Sequence, residues 1–349
     1  MRKSRGGEAM KILLLGGTSF LGKHIAQSAL SKGHELTLFN RGKTNPHLFP
    51  EAEKLIGDRE SGDLRALEKG EWDVVIDTSG YTPGKVEKTA SLLKERVSRY
   101  IFISSISVYK SFQSGEAREE DETGSLDNPD TEEVNGETYG PLKALCEERL
   151  EKILPGKVLT IRPGLIVGPD DTTDRFTYWV KRFSEGGEVL VPGSKERVIQ
   201  WIDVRDLSQW IILMAEDGET GTYNVTGPKQ GYSMKEFVED LTLIAPSGTE
   251  AAWVEDTFLV ERDITPFTQL PLWIPVNEQY PDGFILADYS RSLNKGLVLR
   301  HPRETIEDTL AWFKAYGSDD LKAGLAKEVE ASLLQSRAIV DQPRNDIQK

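Results

Sequence analysis

The chain has 349 residues, with 57 acidic against 43 basic side chains and a formal net charge of -14. That balance argues against a nucleic acid or an anionic membrane as partner, since both require a positive footprint. One cysteine and four scattered histidines give neither a disulfide nor a metal-ligand spacing, so no metal is expected and a reducing cytoplasm fits best.

No apolar run approaches the ~20 residues of a membrane span. Residues 1–10 (MRKSRGGEAM) lack the apolar middle of a signal peptide and read as a disordered leader, with Met10 an alternative start. Residues 11–15 (KILLL) predict a short buried strand, and Phe20, Leu21, Ile25, Ala26, Ala29 and Leu30 then recur at helical spacing. A strand that runs through a glycine turn into a helix leaves backbone N–H groups aimed at the turn, where the helix dipole favours an anion. GGTSFLG at 16–22 therefore reads as a dinucleotide pyrophosphate site, against the alternative of a tight turn that binds nothing. Its spacing puts Ser19 where such turns usually carry glycine.

Residues 35–39 predict a second strand leading into Asn40, Arg41, Gly42 and Lys43. An acidic residue at that junction takes the ribose hydroxyls of NAD, whereas a basic one accommodates the extra phosphate of NADP. Asn40 beside Arg41 and Lys43 favours NADP, with NAD as the alternative and a plain solvated loop as the competing reading. Residues 54–58 predict a third strand with Asp58 at the adenine end, residues 72–77 a fourth, and Pro83 opens a helix to about residue 96. Residues 99–103 predict a fifth strand that runs into Ser104, Ser105, Ile106, Ser107, Val108 and Tyr109.

This alternation predicts an α/β fold, a doubly wound parallel sheet with a smaller C-terminal substrate lobe. Ligands bind beyond the carboxyl ends of such strands, which brings the hydroxyls of 104–109 to the cofactor. The strongly acidic stretch 116–133 predicts a surface loop or flap. Tyr139 and Lys143 follow on one face of a helix, where a nearby ammonium favours phenolate and draws an ordinary pKa of ~10 toward working pH. That is the condition for a general acid/base. A sixth strand at 158–162, a helix at 204–216, a strand at 222–225 and a helix capped by Ser233 complete the core pattern, and the prolines of 253–281 assign that stretch to the lobe.

Four pieces, GGTSFLG at 16–22, SSISVY at 104–109, YGPLK at 139–143 and IDVRDL at 202–207, occur in this order. Together they resemble the extended short-chain dehydrogenase/reductase superfamily, the NAD(P)-dependent epimerase/dehydratase group, over about residues 11–315. GGTSFLG also resembles the turn of an atypical branch that includes plastid RNA-binding members. The resemblance implies a Rossmann domain at 11–169 with further core elements from about 200–226, a substrate lobe at 170–199 and 227–300, and a closing helix at 301–316. It implies Ser105, Tyr139 and Lys143 as the catalytic set, Ser105 hydrogen-bonding the reacting oxygen with Ser104 and Ser107 as alternatives. It further implies cofactor contacts at Gly16, Thr18, Ser19, Phe20, Leu21, Gly22, Asn40, Arg41, Asp58, Thr78, Ser79 and Lys143.

Arg175, Tyr178 and Arg197 are the substrate candidates. Leu165 stands where the family's sugar-nucleotide enzymes carry asparagine, Ile199 where they carry arginine, and Ile106-Ser107 where the dehydratases carry Asp-Glu. These departures weigh against a nucleotide-diphosphate sugar and against 4,6-dehydration, although Arg197 could substitute for the missing arginine. The expected activity is hydride transfer between nicotinamide and a carbinol or carbonyl carbon of a small, sugar-like substrate. The alternative is a non-catalytic nucleotide-binding or RNA-associated protein. Leu321, Leu325, Val329, Leu333 and Ile339 recur at near-helical spacing within the tail 317–349, predicting a helix that docks on its own subunit or, in a homodimer, on a neighbour.

Overall fold

In the computed structural model, which describes residues 9–113 and 115–340, the chain divides into two compact units. The predicted leader up to residue 8 and the side chain of Ile339 lie outside the described residues. The first unit comprises the chain up to Ile166 together with Gln200–Pro228 and Leu286–Arg300.

The first unit is built on β1 (Lys11–Leu15), α1 (Phe20–Ser31), β2 (Glu35–Asn40), β3 (Glu53–Ile56), β4 (Trp72–Asp77), α2 (Pro83–Leu93), β5 (Val97–Ile103), α3 (Tyr139–Ile153) and β6 (Val158–Pro163). A seventh strand, Gly221–Val225, follows the helix Val204–Asp217. The sheet is parallel throughout, in the order Gly221–Val225, β6, β5, β4, β1, β2, β3. Side chains alternate across it: Ile12 and Leu14 pack with α1 and Val204–Asp217, whereas Leu13 and Leu15 pack with residues of α2 and α3. Burial on both faces explains why β1 is a nearly unbroken apolar run. The order reverses direction beside β1, and a doubly wound sheet opens its ligand crevice at such a point.

Two expectations change. The acidic stretch is not a free flap at its start, because Ala117 N–H donates to Leu286 O (2.9 Å), Asp288 N–H donates to Ala117 O (2.9 Å) and the Glu119 carboxylate accepts from Asn224 N–H (3.0 Å). Those bonds also draw 286–300 to the sheet, so this segment belongs with the first unit rather than with the lobe. IDVRDL adds a second tie. Asp203 caps the helix Val204–Asp217 through Arg205 N–H, and Asp206 holds Arg300 at 2.7 Å.

The second unit comprises Val167–Ile199, Lys229–Ile285 and the chain from His301 onward. Phe176, Trp179, Phe183 and Phe237 fill its interior between the helices Thr177–Glu185 and Met234–Thr242. A two-stranded parallel sheet pairs Glu188–Pro192 with Glu250–Val254, a strand the prolines further along had hidden. The helices Pro302–Tyr316 and Lys327–Val340 end the unit. Among the described residues no helix is long and apolar enough to cross a membrane.

Candidate active site

Five neighbouring strands, β5, β4, β1, β2 and β3, end in the segments that carry or lead to the candidate residues of the first unit. After β1, α1 begins with no side-chain cap on its N-terminus and no acidic residue in its first turn, so its leading N–H groups remain available to an anion. Gly22 must be glycine, because a Cβ there would stand 2.7 Å from Gly17 N. Phe20 holds φ at 31°, a left-handed backbone that side-chain-bearing residues seldom adopt and that marks local strain at the turn. Ser19 is exposed with φ at -143°, so serine sits there without backbone strain.

The turn is held from the β2 side. Asn40 donates its amide to Gly16 O (3.0 Å) and accepts from Gly42 N–H (2.8 Å), and Asn45 donates to Thr18 O (3.0 Å). Both ends of the Asn40 side chain are therefore committed to shaping the loop. Arg41 and Lys43 project from it exposed, with no hydrogen bond or ion pair to a described residue. At the end of β3, Ile56 is 57% exposed and Asp58 accepts from Glu60 N–H (3.0 Å).

After β4, Thr78 donates its hydroxyl to Leu15 O (2.9 Å), tying this loop under the glycine turn. Asp77, fully buried, accepts from Arg59 (2.7 Å), Tyr100 Oη (2.8 Å) and Ser79 N–H (3.0 Å). Burial pushes the Asp77 carboxyl up, but the charge and hydrogen bond of Arg59 outweigh it and hold the group below the usual carboxylate range. Sequence reading passed over this pair. Its one visible signal is an acid that directly follows the apolar run Val74–Ile76.

The loop after β5 carries Ser105, and α3, which carries Tyr139 and Lys143, packs against it. Ser105 opens a short 3-10 turn over Ile106–Val108, and its hydroxyl accepts from Ser107 N–H (3.1 Å). Gly140 packs against that turn so closely that a Cβ would meet Ser107 O at 2.0 Å. The first residue of α3, Tyr139, is thereby seated against the serine loop. Ser104 is a poorer alternative to Ser105 because its hydroxyl donates to Glu147. One turn into α3, Lys143 is buried and donates from Nζ to Gly80 O and Ile103 O, each at 2.8 Å. Burial pushes its ammonium down to about 8, with the Asp77 charge the chief opposing influence.

Beneath the serine loop, Glu147 pairs with Arg162 at 2.6 Å, and Arg162 donates to Tyr109 Oη, which donates to Asn224. These residues carry no ligand-binding signal in sequence; they brace the loop from behind. A cavity of about 690 Å³ opens on the outer flank of α3 beside Glu147, Glu148 and Thr222. Two of its three carboxylates, Glu147 and Glu148, are paired with Arg162 and Lys152, and Glu151 accepts from Gly156 N–H (2.8 Å).

The substrate candidates lie in the second unit. Tyr178 differs from the ligand-facing role expected of it, because its ring is interior and a Cβ on Gly324 would touch it at 2.1 Å. Arg197 is buried and its charge is balanced by Asp256 at 2.6 Å, which removes the reason to see it as the missing arginine. Arg175 is half-buried and donates to the Thr173 hydroxyl (3.2 Å).

Residues 12–226, more than half of the chain, match the model of the NAD dependent epimerase/dehydratase family. The chain belongs to that family. Its fold is shared with the solved structure of the enzyme WbmG of Bordetella bronchiseptica in complex with NAD and UDP (TM-score 0.66, 18% identity, 91% of this chain and 99% of that one). It is shared too with the UDP-glucuronic acid 4-epimerase of Bacillus cereus in complex with NAD (TM-score 0.64, 17% identity, 88% and 100%). In sequence the chain is 28% identical over 239 residues to the chloroplast stem-loop binding protein of 41 kDa b of Arabidopsis thaliana. The match covers 63% of this chain and spans 59% of that relative's length. The family is described as NAD dependent, and both of these solved structures hold NAD.

Proposed function

We propose that this protein is an NADP-dependent oxidoreductase or epimerase acting on a carbinol or carbonyl carbon of a small, sugar-like molecule. The observation that carries the reading is the close approach of Gly140 to Ser107, which seats Tyr139 on the Ser105 loop with Lys143 buried one turn behind. The chain fits a dinucleotide. The uncapped head of α1 suits a pyrophosphate, exposed Arg41 and Lys43 suit a 2′-phosphate, and exposed Ile56 with Asp58 suits an adenine. A bound nicotinamide supplies the hydride acceptor or donor at the reacting carbon. Ser105 donates a hydrogen bond to the substrate oxygen and orients it. Tyr139 takes the hydroxyl proton as the carbonyl forms, or returns it in the reverse direction. Lys143 favours the tyrosine's charged form while it is itself protonated.

The second reading, an RNA-associated protein without catalysis, draws on the named activity of the chloroplast relative. A net charge of -14 stands against it, because phosphate backbones are bound by clustered cations. The test is a panel of sugars, keto-sugars and small ketones, followed by NADPH absorbance for net redox and by product chirality for epimerisation. Turnover that Tyr139→Phe abolishes supports the reading; full activity in that variant refutes the assignment.

A further inference from the structure

The loop after β4 ends on an aromatic side chain to which packing assigns no role. Tyr81 is 48% exposed, although Gly80 before it and Thr82 after it are buried. Its backbone is fixed on both sides, by the anchored Asp77–Thr78 pair and by Pro83 at the head of α2. The hydroxyl has no hydrogen-bond partner among the described residues, so hydrogen bonding does not explain the placement. The ring instead stands over the Lys143 ammonium, 4.8 Å from Nζ to the centroid. Phe102 lies at the same distance, and Gly80 O and Ile103 O take two of the three ammonium protons. Tyr81 thus covers the one cation of the catalytic set, and about half of its surface is left open at the ligand end of the sheet.

We propose that Tyr81 is a cofactor-facing residue, its ring screening the Lys143 ammonium from water while its open side receives the nicotinamide-ribose half of the dinucleotide. The inference rests on the dinucleotide reading above. It picks the nicotinamide half because Tyr81 is coupled to Lys143, whereas Arg41, at the adenosine end, follows β2, two strands away from β4. Aromatic faces attract cations and stack on flat rings and apolar sugar faces, which gives the exposed ring something to bind.

The experiment titrates the parent protein, Tyr81→Phe, Tyr81→Leu and Tyr81→Ala with NADPH and with adenosine 2′,5′-bisphosphate, which carries the adenosine half alone. Tyr81→Phe keeps the ring and should bind NADPH as the parent does. Tyr81→Leu and Tyr81→Ala should lose about tenfold in NADPH affinity, the scale of one lost stacking contact. All three should bind the bisphosphate as the parent does. NADPH affinities of Tyr81→Leu and Tyr81→Ala equal to the parent's, or a loss shared by both ligands, would overturn the proposal. A parent that binds neither NADPH nor NADH would overturn the dinucleotide reading itself, a result distinct from those that retire Tyr81 alone.

Discussion

Lys143 carries the sharpest residue-level consequence. Its ammonium is buried against two carbonyls and two rings, and burial brings it down to about 8. Below that pH it is charged and supports Tyr139; above it the charge and the support are lost. The kcat/KM of the free enzyme should therefore fall as pH rises through about 8, and Lys143→Met should lack that limb while turning over far more slowly. Tyr139→Phe removes the transferable proton and should cost roughly 10²–10⁴-fold in kcat. Ser105→Ala should cost less, since it orients without moving the proton. Ser19 already adopts an extended backbone. Ser19→Gly should accordingly bind dinucleotide as tightly as the parent; a tenfold loss by calorimetry would show that the hydroxyl contacts phosphate.

At the scale of elements, the tail helix Lys327–Val340 docks on the second unit through a buried carboxylate. Glu330 accepts from Arg182 Nε (2.6 Å) and from Leu190 N–H (3.0 Å), an edge donor of the strand Glu188–Pro192. Glu330→Ala leaves both without this partner and should cost about 3 kcal/mol, the scale for breaking one side of a buried ion pair. Denaturant unfolding measures it, and Glu330→Gln should recover part of the loss. Truncation after Tyr316 should lower the melting temperature as well. The sequence pattern marked Leu325 and Leu333, which are buried, but also Val329, which is exposed; Glu330, the buried residue that docks the helix, falls outside that apolar pattern. Local periodicity reports which side chains are apolar, not which carboxylate meets a strand edge 140 residues earlier.

The same limit runs through the first unit. The strands were legible because both faces of the sheet are covered, leaving continuous apolar runs such as 12–15 and 74–76. The placement of Tyr139 and Lys143 on one helix was legible because one helical turn separates them. Asp77 with Arg59, and Glu147 with Arg162, were not legible, because each pair forms only when distant segments fold together. Ala117 and Glu119 hid inside a charged run whose composition describes its later, solvated part.

For the molecule as a whole, the acidic balance separates the two functional readings. Cationic side chains at the candidate site are few and locally placed, which suits one phosphate group and not a nucleic-acid backbone. A radiolabelled stem-loop RNA should therefore show no salt-dependent binding in a filter assay. The central claim is a dinucleotide held across the ends of β1, β2 and β4, with Arg41 reading the extra phosphate. A charge-assisted phosphate contact contributes roughly 1.5–3 kcal/mol. Calorimetric titration of the parent and of Arg41→Ala with NADPH and NADH tests this most directly. The prediction is saturable binding, tighter for NADPH, with the gap narrowed in Arg41→Ala; binding of neither dinucleotide by the parent, or equal affinities for both, would contradict it.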